Sequence, residues 1–72
     1  MTEREHLDFD MAQEAIKAAV AAVSALYERF PETMQLHVAG NRVAMALDSL
    51  ETAADQLAAA RTRYASAVQE VN

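Results

Sequence analysis

The stretch AIKAAVAAVSAL, Ala15 to Leu26, carries a single charged side chain, Lys17, in twelve residues. A helix that spans a bilayer needs about 20 consecutive apolar residues, and here Glu28 follows the run almost at once. A secretory signal begins with basic residues, whereas residues 2–10 read TEREHLDFD. The stretch is therefore interpreted as the packed face of a helix. We also expect a cytoplasmic location.

Apolar residues recur through this stretch every seven residues, as they do in helices that pack along a seam. The main row is Phe9, Ile16, Val23 and Phe30. One neighbouring row is Ala12, Ala19 and Leu26, and the other is Gln13, Val20 and Tyr27. Large side chains mark one edge of the stripe, while alanine on the other faces favours helix without adding bulk.

The second half of the chain repeats the seven-residue spacing without a slip. The rows are Leu36, Val43, Leu50, Leu57, Tyr64 and Val71; Ala39, Ala46, Ala53, Ala60 and Ala67; and Gly40, Leu47, Ala54, Arg61 and Val68. A row of alanine lets another helix approach to the short end of the usual spacing of about 8–10 Å. The sequence therefore predicts an alanine-rich seam, which a larger side chain at Ala53 would disturb.

The helix boundaries follow from capping and turn residues. Asp10 with Gln13 fits a capping box, and Thr2 with Glu5 is an alternative start. The residue before Pro31 is forced out of the helical region. The expected elements are helix 1 at about 8–30, a turn at 31–33 and helix 2 at about 34–70.

Gly40-Asn41 is a possible helix stop, which would divide helix 2 into segments 33–39 and 42–70. The seven-residue frame passes this point unchanged, so the pattern favours a continuous helix.

A short turn between two long helices predicts an antiparallel hairpin within one domain, residues 1–72. A turn centred on Glu32 places Phe9 near Leu57 and Glu3 near Arg61. Two helices cannot enclose a core, and the apolar rows are wide. We therefore expect an all-α fold in which two hairpins form a homodimeric four-helix bundle; the alternative is that another protein covers the apolar rows.

Composition excludes several classes of function. The chain has 72 residues, a net charge of −5 and no cysteine, which removes disulfides and thiolate chemistry. Excess negative charge disfavours binding to nucleic-acid phosphates and to anionic membranes. Seventeen alanines, and five arginines against one lysine, suggest a bacterial or phage origin. The size, turn and heptads resemble small bacterial and phage helical hairpins such as plasmid-copy regulators and secretion co-chaperones, at the level of architecture alone.

Few residues suggest chemistry. Glu3-x-x-His6, with Asp10 a turn further on, has the spacing of carboxylate-bridged metal sites in helical bundles, but the acids of helix 2 lie mainly off its seam. It is interpreted as a solvated turn, and His37 as a partly exposed helix histidine. No serine has a local base. We expect no metal, no cofactor and no catalytic residue.

The sequence thus favours a non-enzymatic helical module that binds proteins and self-associates. Its candidate interface is Phe9, Ile16, Val23, Tyr27, Phe30, Met34, Val38, Met45, Leu57 and Tyr64. An alternative is an acidic inhibitor or decoy that binds a nucleic-acid-binding protein through its N-terminal carboxylates. A third and remote alternative is a metal-dependent helical-bundle enzyme.

Overall fold

A computed structural model describes residues 1–71 as three helices: α1 (Glu3–Glu28), α2 (Glu32–Gln35) and α3 (Val38–Val71). All regular structure in this range is helical, which confirms the all-α prediction. α1 and α3 lie side by side and antiparallel, and the chain measures 56 × 17 × 10 Å. The fold is thus a thin, two-helix ribbon. The side chain of Val71, the last residue of the predicted row, lies outside the described part.

α1 begins at a capping box. The Glu5 N–H donates to the hydroxyl of Thr2 at 3.1 Å, and the Thr2 N–H donates to the Glu5 carboxylate at 3.1 Å. These bonds satisfy donors that a helix start leaves without partners. The start predicted near residue 8, with Asp10 as the cap, is wrong; the alternative at Thr2 is correct.

α1 ends at Glu28, close to the boundary that Pro31 imposes. The carbonyl groups of its last turn are then capped by a side chain from α2. The amide of Gln35 donates to the carbonyls of Tyr27 and Phe30, both at 3.2 Å. This contact fastens α2 to the end of α1 and fixes how the chain turns.

The predicted helix at 34–70 is divided in two, and the division falls at Leu36 and His37 rather than at Gly40-Asn41. His37 precedes α3, and its Nδ1 accepts the backbone N–H of Ala39 at 3.1 Å, so it caps the helix instead of lying within it. Leu36 is 87% exposed and does not join the seam.

Gly40 explains the division. It is the only buried residue among residues 1–70, and the α2 backbone lies directly on it. A Cβ at this position would lie 2.4 Å from the carbonyl oxygen of Met34 and 2.6 Å from that of Gln35. Gly40 is therefore a helical residue whose missing side chain makes room for α2.

The α1–α3 interface consists of half-buried side chains at heptad spacing. They are Phe9, Gln13, Ile16, Val20, Val23 and Tyr27 on α1, and Val43, Leu47, Leu50, Ala54, Leu57, Arg61 and Val68 on α3. Of the predicted alanine row, Ala53 is half-buried, whereas Ala39, Ala46 and Ala60 are exposed. The rows that contain Val43 and Ala54 therefore face α1, and the alanine row lies beside this interface.

The predicted register is wrong by about two helical turns. Arg61 contacts Asp10 and Gln13, not Glu3. The prediction assumed a simple turn centred on Glu32. The connection instead contains α2, which lets α3 begin well beyond the end of α1.

We predict that Gly40→Ala lowers stability, although alanine is favoured over glycine in a helix by about 1 kcal/mol. The added methyl group would meet backbone atoms of α2, which cannot rotate away. Urea unfolding at fixed chain concentration measures the effect. The control is Ser49→Ala, at an exposed helical position, which should be neutral or slightly stabilising. Equal stabilisation by both substitutions would contradict the close contact.

Candidate interaction surface

The end of the ribbon where α1 begins carries an aromatic and charged cluster, here called the open-end cluster: Glu5, Phe9, Leu57, Arg61 and Tyr64. The rings of Phe9 and Tyr64 are tilted by 52° with centroids 5.9 Å apart. The Arg61 guanidinium lies 5.9 Å from the centroid of Phe9. Aromatic and cation–π contacts of this kind add about 0.5–1.5 kcal/mol each, so they stabilise the pairing of α1 with α3 at this end.

Arg61 is the main polar link between the two long helices. One of its terminal nitrogens is 2.6 Å from both the Asp10 carboxylate and the Gln13 side-chain oxygen. The Arg61 side chain is 27% exposed and that of Asp10 is 59% exposed. Because water screens the pair in part, this is a positioning contact of modest energy.

Glu5 links the capping box to the open-end cluster, because the Tyr64 hydroxyl donates to its carboxylate. Hydrogen bonds from the backbone N–H and then from the hydroxyl of Thr2 lower the pKa of Glu5 from the ordinary value of a glutamate. The carboxylate is therefore held in its charged form at the start of α1.

A depression of about 300 Å³ lies within this end of the ribbon. It is lined by Glu5, Asp8, Phe9, Ala12, Leu57 and Tyr64. Its floor is apolar and its rim carries two carboxylates. It is wide enough for an aliphatic side chain.

The N-terminal acids are largely engaged within the chain. Asp8 pairs with Arg4 at 3.2 Å, Asp10 pairs with Arg61, and Glu5 bonds to Thr2 and Tyr64. These contacts leave less free negative charge for a basic partner than the sequence implied. The predicted proximity of Glu3 to Arg61 is wrong, because Arg61 bonds to Asp10 and Gln13.

The Glu3-x-x-His6 unit lies beside a cation. Nδ1 of His6 is 3.4 Å from a terminal nitrogen of Arg61, and a guanidinium at this distance opposes metal binding. Within residues 1–71, no group of three or more histidine or carboxylate side chains is arranged to hold a metal ion.

The two broad sides of the ribbon differ in chemistry. One side, here called the alanine face, is formed by Ala12, Ala15, Ala19 and Ala22 of α1 and by Ala39, Ala46, Ala53 and Ala60 of α3. The depression opens on this side, beside Ala12 and Tyr64. By helical spacing the opposite side, here called the polar face, carries Asp10, Lys17, Glu51 and Asp55. One side of the ribbon is thus suited to helix packing and the other to water.

The predicted interface residues divide into two groups. Phe9, Ile16, Val23, Tyr27, Phe30 and Leu57 are half-buried within the hairpin, whereas Met34, Val38, Met45 and Tyr64 are 39–66% exposed. At the closed end, the rings of Tyr27 and Phe30 have centroids 6.4 Å apart. Leu36 stays outside this pair.

Sequence reasoning missed two residues that shape the surface, Gln35 and His37. Both act on backbone groups of neighbouring segments. A histidine or glutamine at a helix boundary signals such a contact only weakly, because serine, threonine, aspartate and asparagine are the usual caps.

No protein-family model, curated protein or solved structure matches this chain. Within residues 1–71, neither long helix has a segment of sufficient length and apolar character to cross a membrane.

We predict that Arg61→Met lowers stability by about 0.5–1.5 kcal/mol, because it removes the bonds to Asp10 and Gln13 but keeps an apolar stem against Phe9. Chemical denaturation measures this, with Arg63→Met at an exposed neighbouring position as the control. Indistinguishable unfolding curves for the two variants would contradict the role assigned to Arg61.

We predict that Glu5 makes stability depend on acid pH. Its folded pKa lies below that of a glutamate in the unfolded chain, so its stabilising contribution is fully present above the unfolded pKa and is lost as pH falls through the folded pKa. Glu5→Gln can still accept from the Thr2 N–H but does not titrate. The Tm difference between wild type and this variant should shrink as pH falls from neutral through the folded pKa of Glu5. A Tm difference that stays constant as pH falls would contradict this role of Glu5.

Proposed function

We propose that this chain is a non-enzymatic helical interaction module. It self-associates through its alanine face into a homodimeric four-helix bundle, and the bundle serves as an adaptor, chaperone or regulator for another protein. The observation that carries the proposal is that, within residues 1–70, the hairpin buries no large apolar side chain.

The exposed area supports self-association. The chain exposes 5533 Å², whereas a compact monomer of this mass exposes roughly 4,400 Å². The excess of roughly 1,100 Å² is close to the area of about 800 Å² that each partner loses in a standard interface. The radius of gyration, 16.6 Å, likewise exceeds the value of about 11 Å for a compact domain of this length.

The exposed side chains have the chemistry of an interface. Large apolar residues that remain 42–66% exposed are Leu7, Met11, Leu26, Val38, Met45 and Tyr64. Methionine and tyrosine suit adaptable protein contacts. Small chains without disulfides or metals commonly gain stability by association, which connects the open surface to a function in binding.

A second candidate is an acidic inhibitor of a nucleic-acid-binding protein. The exposed carboxylates Asp48, Glu51 and Asp55 along α3 favour it, while the internal partners of Asp8 and Asp10 weigh against the N-terminal run as the binding element. Binding of this kind would be salt-sensitive, whereas binding through apolar contacts would persist at high salt.

We predict that Ala46→Leu weakens self-association and that Ala59→Leu does not. Both alanines are exposed in the single chain, so neither change should disturb the hairpin itself. Ala46 lies on the alanine face, where each inserted side chain should cost about 1–3 kcal/mol, and Ala59 points away from α1. Ala53 is a less clean probe because it is half-buried.

The measurement is Tm as a function of chain concentration, since association makes Tm rise with concentration. Ala46→Leu should lower Tm and flatten or displace this dependence, while Ala59→Leu should follow wild type. The same curve for all three proteins would contradict the proposal.

A further inference from the structure

We propose that the two copies stack alanine face against alanine face in opposite directions, so that Leu26 of the second copy covers the depression beside Phe9 and Tyr64. This inference rests on the self-association proposed above and specifies its geometry. The alanine face is thus occupied by a second copy of the chain.

Small residues dominate the middle of the face. On α1, Ala12, Ala15, Ala19 and Ala22 occupy successive turns, and on α3, Ala39, Ala46, Ala53 and Ala60 recur at every second turn. Small side chains let two helix backbones approach near the short limit of about 8 Å. A two-fold axis through the middle of these rows places α1 against α1 of the second copy and α3 against α3.

The depression accounts for the direction of stacking. It lies at one end of the face and measures about 300 Å³. Leu26, 48% exposed, lies at the other end. With the axis between Ala15 and Ala19, helical rise brings Leu26 of the second copy to the level of Asp8 and Phe9. The two-fold axis repeats this contact at the other end of the dimer.

Charge complementarity favours the same direction. The depression has the carboxylates of Glu5 and Asp8 on its rim, and Arg42 is exposed on α3 near the closed end. Opposed stacking brings Arg42 of the second copy towards Glu5. Parallel stacking would place the acidic rims of both copies together, and repulsion between like charges opposes that arrangement.

Single cysteines distinguish the arrangements, because the chain has none of its own. A disulfide requires Cα atoms about 4.4–6.8 Å apart. In the opposed dimer the axis lies between Ala15 and Ala19, so Ala15 of one copy faces Ala19 of the other, and an equimolar mixture of Ala15→Cys and Ala19→Cys chains should give a mixed disulfide-linked dimer on mild oxidation. The matched control is Asp55→Cys, at the same level on the polar face, which should stay monomeric under denaturing, non-reducing conditions.

The cross-linking results separate failure of the opposed arrangement from failure of self-association itself. In a parallel dimer, Ala19 would face α3 of the second copy. A mixture of Ala19→Cys and Ala53→Cys chains would then cross-link, whereas the mixture of Ala15→Cys and Ala19→Cys chains would not; this result overturns the opposed arrangement. Dimers that cross-link only through Asp55→Cys would overturn the alanine face as the interface and leave self-association standing. A wild-type chain that is monomeric before any cysteine is introduced would overturn self-association itself.

Arg42→Glu provides an independent measurement on the same geometry. It should raise the dimer dissociation constant at low salt by tenfold or more, and the effect should diminish as salt screens the contact. Arg63→Glu makes the same charge change at an exposed position outside the proposed contact and should have a smaller effect. Equal effects of the two reversals would contradict the pairing of Arg42 with the acidic rim.

Discussion

Two α-helices packed side by side meet along one line, and this geometric constraint governs the whole chain. Each helix can shield one row of side chains against the other, so the heptad residues of α1 and α3 become half-buried rather than buried. Gly40 is the only buried residue among residues 1–70, and it is buried against the backbone of α2. A single ribbon of this kind leaves apolar surface on its broad side, and that surface is the basis of the proposed function.

The contacts at the two ends of the ribbon differ from those in its middle. At the closed end, Gln35 and Gly40 hold α2 across the turn through backbone contacts. At the open end, Arg61 and Tyr64 connect α3 to the first turns of α1 by polar and aromatic contacts. The middle carries few polar contacts between the helices and much alanine. The ends therefore align the helices, and the alanine-rich middle is left to pack against another layer.

Much of the fold could be predicted from the sequence, because seven-residue spacing reports which residues share a side of a helix. The apolar layers built on Phe9, Ile16 and Leu50 are where that spacing puts them. The register could not be predicted, since it depends on α2, and α2 depends on a side-chain amide reaching two carbonyls. The position of the alanine row was misjudged for a different reason. Ala46 and Ala54 both suit a close helix contact, and composition alone cannot say which of them faces α1. The depression beside Phe9 and Tyr64 likewise requires the three-dimensional pairing of α1 with α3.

The central claim is that one hairpin is half of a packed unit, and the molar mass of the wild-type chain in solution tests it most directly. Light scattering coupled to size separation, over a wide range of chain concentration, gives this mass without a shape assumption, which matters for a ribbon 56 Å long. We expect twice the chain mass of 7.9 kDa, with dissociation only on dilution and with loss of helix on dissociation. A fully helical particle of 7.9 kDa at every concentration would contradict the account.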